Sequence, residues 1–288
     1  MNRLVMMIIV LFMVKSSEAQ FENTETGARA AGLNGAFTSV SNNSLAVFYN
    51  PSGLGQLKFR EISVCYSPSL FGVSGLSQAA FSYAEPTEAG TFAVGIKTLG
   101  FELYRESVIK LSFGKVFKDR IFLGINADYF NLSIANYNSA SALGLDIGAM
   151  AYISDFMKWG FAVNNLTGSK IGKTKEKIPQ VYRTGLTFQP SENLILILEA
   201  EKDVKYPLSV RSGFEYSVLD LADLRAGIST EPVSFSGGIG LNYGLFQLDY
   251  SLYNHQELGI THQGTLSLNF GGKASGKYYR QQLKNSFR

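Results

Sequence analysis

A repeating alternation of apolar and polar residues constrains this chain more than any other feature. From residue 57 onward the alternation has the two-residue period of a β-strand, not the longer period of a helix. In one segment, for example, Leu123 and Ile125 alternate with Gly124 and Asn126. The pattern predicts about fourteen strands, roughly at residues 57–66, 76–84, 90–98, 106–116, 120–130, 141–153, 156–165, 180–189, 193–202, 208–217, 222–229, 233–242, 244–253 and 261–270.

The length of these segments separates a membrane barrel from a soluble β-sandwich. A strand of about ten residues, tilted, spans the hydrocarbon layer, whereas soluble strands average about five or six. Connections after odd-numbered segments are mostly longer than those after even-numbered ones, as in outer-membrane barrels. A sheet in lipid must also close on itself, so that every backbone amide is paired. The sequence therefore predicts an all-β protein, with one closed antiparallel transmembrane β-barrel of about 14 strands over residues 57–270.

The two ends of the chain lie outside this pattern. Residues 1–19 contain a basic start, an apolar run over 4–14 and Ala19 before the expected cleavage site, which is typical of a secretory signal peptide. The apolar run is too short to span a bilayer. Residues 271–288 carry five basic residues and no acidic one. We expect a basic periplasmic tail there, which either docks a partner or is simply solvated.

Residues 20–56 have a different composition, rich in glycine and other small residues. Glycine permits positive φ and close backbone approach, so this segment suits a confined space. Asn50 before Pro51 indicates the start of a helical turn, since Asn caps free amides and Pro fits the first turn. We predict an N-terminal plug, or hatch, inside the barrel; its structural motif comprises Gly27, Arg29, Gly32, Gly35, Asn50, Pro51 and Gly53.

The same motif resembles a known family. The run Gly27-Ala28-Arg29, with Gly32 and Gly35 following, and then Tyr49-Asn50-Pro51-Ser52-Gly53-Leu54, is similar to the N-terminal signature of the PorV/PorQ family. A weaker similarity covers 164–168, Ile178-Pro179 and 183–185. That family belongs to the FadL-like outer-membrane barrels, so the resemblance implies a 14-stranded barrel in the outer membrane of a Gram-negative, Bacteroidetes-like bacterium. The alternative is an ordinary glycine-rich loop of a soluble domain.

The predicted inward face is rich in both glycine and charge. Its glycines either clear space for the plug or ease the curvature of the barrel. Its charges include both signs, and buried charges must be paired or hydrogen-bonded. They therefore form an interior network, with Arg29 joining an acidic partner, or they meet water in a wet lumen. The charged set is Glu61, Lys97, Lys110, Asp128, Asp146, Arg183, Glu199, Arg211, Glu215, Arg225 and Asp249.

Motifs for catalysis and for cofactor binding are missing from the sequence. The run Gly168–Thr174 is too short for a phosphate loop and does not lie between a strand and a helix. The two histidines, His255 and His262, would need further ligands to bind a metal, and the nearby Glu257 alone does not complete a site. The single Cys65 cannot form an internal disulfide. We expect no enzyme activity, no cofactor, no metal and, from a nearly balanced charge, no nucleic-acid partner.

Three roles remain for such a barrel. The resemblance implies an accessory component of type IX protein secretion or of cell-surface attachment, which binds secretion-system proteins or secreted cargo while embedded in outer-membrane lipid. The first alternative is a FadL-like diffusion channel for hydrophobic small molecules, which needs an apolar pocket beside the plug and a lateral opening in the wall. The second is a structural barrel that tethers a periplasmic partner.

Overall fold

A computed structural model describes residues 20–22, 25–137, 139–218 and 221–271 of the chain. The predicted signal peptide and nearly all of the predicted basic tail therefore lie outside the described residues. No helix in the described ranges is long and apolar enough to cross a membrane.

Fourteen antiparallel strands close into one barrel, as predicted. Strands pair with their neighbours in sequence, and the first pairs with the last, from Glu61 opposite Asn269 to Tyr66 opposite Gly264. The barrel strands are β1 (Glu61–Ser67), β2 (Ser77–Thr87), β3 (Gly90–Phe101), β4 (Tyr104–Phe117), β5 (Ile121–Ile134), β6 (Ala140–Tyr152), β7 (Met157–Asn164), β10 (Val181–Phe188), β11 (Leu194–Asp203), β12 (Ser209–Val218), β13 (Ala222–Thr230), β14 (Val233–Tyr243), β15 (Phe246–His255) and β16 (Gly259–Asn269). Two short strands, β8 (Lys170–Ile171) and β9 (Glu176–Lys177), form a separate ribbon between β7 and β10.

The alternation along each strand separates an outward apolar face from an inward polar face. On β5, Leu123 points outward and is 46% exposed, whereas Asp128 points inward and is 2% exposed. Closure of the sheet leaves no free edge, so every strand is paired on both sides. The faces are therefore those that the period-two pattern predicts.

The connections are shorter than predicted at several places, for example between β3 and β4. Strands β3 and β4 extend further than expected, so that residues 102–103 alone join them in place of a predicted connection over 99–105. The longest connections are 68–76 and 165–180, and both lie at the same end of the barrel. We call this end the loop end, and the opposite end, which bears 88–89 and 118–120, the turn end.

The sequence predicts aromatic belts at the membrane interfaces from tyrosines at strand ends, and one of these needs a correction; the set is Tyr66, Tyr83, Tyr129, Tyr216, Tyr243 and Tyr253. Tyr66, Tyr129, Tyr216 and Tyr243 are exposed on the outward face, as an interface belt requires. Tyr253 instead lies on the inward face of β15. Alternate residues of a strand point to the same side, so Tyr253 shares its face with the buried Ser251, whereas Tyr250 points outward.

Helical turns occur only outside the barrel wall in the described ranges. The N-terminal segment contains α1 (Ala28–Gly32) and two 3₁₀ turns, Ser44–Phe48 and Pro51–Gln56. A third 3₁₀ turn, Leu70–Gly72, lies in the 68–76 connection.

Candidate functional site in the barrel lumen

Residues 25–56, which we call the N-terminal segment, run through the lumen from the loop end to the turn end. At the loop end, the carbonyl oxygen of Glu25 accepts a hydrogen bond from Gln78 Nε2 at 2.8 Å. At the turn end, Gln56 Nε2 donates to the sulfur of Met150 at 3.3 Å. Nearly every residue between them is buried, and the largest apolar cluster joins Leu33, Phe37 and Leu45 to wall residues. The segment therefore fills most of the space enclosed by the wall.

Arg29 connects this segment to the wall. Its Nε and Nη2 atoms donate to the two carboxylate oxygens of Glu215 at 2.8 and 2.9 Å. Its Nη1 donates to Asn42 at 2.6 Å, and the guanidinium lies 5.4 Å from the centroid of the Phe37 ring. A two-pronged guanidinium–carboxylate contact constrains both position and orientation. Arg29 thus fixes α1 against β12.

The motif glycines lie where the chain turns or touches a neighbour. Gly27 and Gly35 adopt positive φ values of 99° and 76°, on either side of α1. Gly32 faces Gly238 of β14: a Cβ atom at Gly32 would lie 3.3 Å from the Cα of Gly238. At Gly53 a Cβ atom would lie 2.5 Å from the carbonyl oxygen of Ser41. Side chains at these positions would force neighbouring backbone apart.

Asn50 and Pro51 begin the last helical turn of the segment. The Asn50 Oδ1 atom accepts from the backbone N–H of Ser52 at 3.2 Å, as an N-cap does. Its Nδ2 atom donates to the carbonyl oxygens of Thr38 at 2.9 Å and Ala149 at 3.3 Å. One side chain therefore joins the turn, the preceding part of the segment and β6.

Most of the inward glycines lie against this segment. At Gly124, Gly148 and Gly160 a Cβ atom would overlap backbone or side-chain atoms of residues 38–52. Among the glycines that the strand alternation predicts on the inward face, only Gly144 and Gly240 face other residues instead. These contacts favour the interpretation that the glycines clear space for the segment. The glycines that touch it are Gly95, Gly114, Gly124, Gly148, Gly160, Gly185, Gly213, Gly227 and Gly238.

Charged residues in the lumen form ion pairs, as the network interpretation predicts. Lys110 Nζ lies 2.8 Å from Asp128 and 2.7 Å from Asp146. Arg225 lies 2.6 Å from both Glu215 and Asp249. Further pairs join Arg183 to Glu201, and Arg211 to Glu25 and Glu201, each at 2.6 Å.

Tyr49 lies between these charges and the apolar cluster. Its hydroxyl accepts from the Thr26 N–H at 2.7 Å and donates to Glu25 at 3.1 Å. The Tyr49 ring belongs to the largest apolar cluster, so this side chain links that cluster to the start of the N-terminal segment.

A cavity of about 80 Å³ remains beside the N-terminal segment, near the loop end. Its apolar side is formed mainly by Phe21, Phe48, Val108, Phe130 and Ile178. The ring of Phe21 meets the ring of Phe130 edge-on, with centroids 5.4 Å apart. Charged and amide groups form its other side, namely Glu22, Lys97, Glu106, Lys110, Asp146, Asn164 and Asn165.

The wall beside this cavity has a step. Strand β6 pairs with β7 only over Ile147–Tyr152, whereas its residues 140–146 have ladder partners on β5 alone in the described structure. The 165–180 connection covers the step, and the Leu166 N–H donates to the carbonyl oxygen of Leu145 at 2.7 Å. A second, shorter step lies at the β1–β16 seam, where residues 259–263 have ladder partners on β15 alone. The other ladders of the described barrel are continuous over most of each strand.

Asn165 organises the connection that covers the step. Its N–H donates to Asp146 at 2.8 Å, its Oδ1 accepts from the Ser169 N–H at 3.0 Å, and its Nδ2 donates to the Ile178 carbonyl at 3.0 Å. The channel alternative requires a pocket beside the plug and an opening in the wall, but no residue of this cavity and no covering role for Asn165 was assigned from the sequence. The only signal for them was the similarity over 164–168 and Ile178-Pro179, which gave no residue a role.

No cluster of three or more His, Cys, Asp or Glu side chains in the described part of the chain is arranged to hold a metal ion. Glu199 and Glu201, which share one strand face, are both engaged: Glu199 accepts from Thr38 and Glu201 from two arginines. The Gly168–Thr174 run forms part of the β8–β9 ribbon.

Comparison with known proteins gives matches in three-dimensional structure. No protein-family profile and no curated protein sequence matches the chain. The Pseudomonas putida toluene transporter TodX superposes with a TM-score of 0.64 at 12% identity, covering 86% of this chain and 98% of TodX. The Ralstonia pickettii toluene transporter TbuX gives 0.62 at 12% identity, with 86% and 99% covered. A Pseudomonas aeruginosa FadL homologue gives 0.59 at 14% identity, with 86% and 98% covered. At such identities the likeness is one of fold, and the chain therefore has a FadL-like β-barrel fold.

Proposed function

We propose that this protein is an outer-membrane channel for small, largely apolar molecules. The observation that carries the proposal is the partly apolar cavity beside the N-terminal segment, under the step in the wall ladder between β6 and β7. Structures of the same fold include proteins described as toluene transporters. The role is binding and passage, without catalysis.

The outward surface supports a membrane location. Leu111, Leu123 and Leu198 are exposed on it, together with many other large apolar residues, and a surface so apolar is costly in water. A closed sheet satisfies its own backbone groups, as hydrocarbon surroundings require. We place the loop end outside the cell, since long connections in such barrels are extracellular.

The route that we propose avoids the filled centre of the barrel. Passage along the axis would require the N-terminal segment to leave, which breaks the Arg29–Glu215 contact and exposes the apolar cluster. Passage at the step requires only that the 165–180 connection move away from β6. We therefore propose that apolar molecules enter the cavity sideways, between β6 and this connection.

A reversible cross-link tests this route. Cysteines in the Leu145→Cys/Leu166→Cys variant lie on residues joined by a backbone hydrogen bond, and native Cys65, which is buried, is replaced by Ala. A matched control places cysteines at Leu248 and Leu266, which are register partners across a continuous ladder. We expect oxidation to stop uptake of toluene into proteoliposomes by the first variant only, and a reducing agent to restore it. Equal uptake by oxidised and reduced forms of the first variant would refute the route.

A second candidate function is the accessory role in type IX secretion or surface attachment that the PorV/PorQ resemblance implies. The filled lumen favours it, because a barrel that acts by binding has no need of a passage. An affinity pull-down from outer membranes of the native host tests it. Specific recovery of secretion-system proteins or secreted cargo would support this candidate. If none is recovered and toluene is taken up, the result favours the channel function.

A further inference from the structure

The charges around the cavity are not balanced. Three carboxylates line it, those of Glu22, Glu106 and Asp146, against the two ammonium groups of Lys97 and Lys110. A fourth carboxylate, Asp128, lies 2.8 Å from Lys110 Nζ. Counted together, four acidic groups face two basic ones.

The basic groups among these are already engaged. Lys110 contacts two aspartates at 2.7 and 2.8 Å, so its charge is more than neutralised. Lys97 lines the same cavity as Glu106. A ligand that enters the cavity therefore meets no cation without a carboxylate beside it.

The next layer of charges does not reverse the balance. Arg183 and Arg211 lie beyond the cavity, but they are shared among Glu25, Glu201 and the nearby Glu199. This second layer therefore contains two basic and three acidic residues, and it is neutral if Glu199 is left out. The second layer therefore supplies no excess of positive charge that would attract an incoming anion.

We propose that the cavity selects neutral apolar molecules, including those with a hydroxyl group, and rejects carboxylates with the same apolar body. This inference rests on the proposed channel function. A carboxylate loses its hydration on entering the cavity, and it is then repelled by the excess of negative charge at low dielectric. A hydroxyl group avoids both costs and finds amide and carboxylate partners at the polar side of the cavity.

Three probes with one eight-carbon body test the selection: 1-octanol, octanoate and octylammonium. Binding is measured by calorimetry at pH 7.5 on the mature chain in nanodiscs, with empty nanodiscs subtracted. The Val108→Phe variant, which fills the cavity, defines the part of the signal that belongs to the site. We expect 1-octanol to bind at least about tenfold more tightly than octanoate, and octylammonium to bind more tightly than octanoate.

The Glu106→Gln variant examines the cause. It removes one negative charge at nearly constant shape, so the preference for 1-octanol over octanoate should fall several-fold. Octanoate binding as tightly as 1-octanol, or equal rejection of octanoate and octylammonium, would overturn the selection by charge while leaving the channel intact. If none of the three probes binds at the site, both the selection by charge and the proposed channel function are overturned.

Discussion

Gly227 offers the sharpest test of how the N-terminal segment and the wall fit together. This residue lies on the inward face of β13, and a Cβ atom there would lie 2.5 Å from the Leu33 carbonyl carbon and 2.7 Å from the Asn34 nitrogen. These are backbone atoms, and Asn34 is held in place because its Nδ2 donates to the Ser234 carbonyl at 2.9 Å. The segment therefore has little freedom to move away from an added methyl group.

Gly237 on β14 provides a matched control. It also lies within a strand, but it points outward, and a Cβ atom there would meet only the Arg225 carbonyl oxygen at 3.8 Å. Overpacking a well-packed interior costs about 1–3 kcal/mol, whereas alanine in place of a strand glycine gains roughly 0.5–1 kcal/mol where space allows. We therefore expect Gly227→Ala to be less stable than Gly237→Ala by about 2 kcal/mol.

The comparison is made by urea unfolding of both variants and the parent protein in lipid vesicles. Trypsin cleavage after Arg29 provides a second measurement, since this residue is 9% exposed and is accessible only when the segment leaves its place. We expect faster cleavage in Gly227→Ala alone. Equal stability of the two variants, with Arg29 equally protected, would refute the close fit between segment and wall.

Further predictions concern the ion pairs and the covering connection. Arg29→Met should lower the unfolding free energy by about 3 kcal/mol, the low end for a broken buried pair, because another arginine still contacts Glu215; adding Glu215→Gln should recover part of the loss in a double-mutant cycle. Lys110→Met leaves two buried aspartates without their cation and should cost about 3–5 kcal/mol, whereas Arg60→Gln, which breaks an exposed pair, should cost less than about 1 kcal/mol in the same urea titration. Asn165→Ala removes side-chain hydrogen bonds to Ser169 and Ile178, worth about 1 kcal/mol each; trypsin should then cut the 165–180 connection roughly thirtyfold faster, and an unchanged rate would contradict its organising role.

The strand pattern was predictable because it is local. Side chains alternate between the two faces of a strand, so runs such as the one around Leu123 and Asp128 reveal both the strand and its orientation. The prediction for Tyr253 was wrong. Its aromatic ring suggested a place at the membrane interface, but the alternation along β15 puts it on the inward face with Ser251.

The partners of the lumen residues were predictable only in kind. A buried Arg29 needs an acidic partner, but Glu215 lies 186 positions away in the chain. Several other inward carboxylates satisfied the same requirement. The path of the N-terminal segment through the barrel decides which of these carboxylates lies next to Arg29.

The sequence by itself determined the number of strands, the antiparallel order and the division between outward and inward residues, because these follow from periodicity and from the need to pair every backbone group of a closed sheet. Only the tertiary structure decided which glycines touch the segment, which charges pair, and where the wall steps beside a cavity. Those features depend on the register at which the sheet closes and on how one irregular segment packs within it. Neither can be inferred from any short stretch of residues.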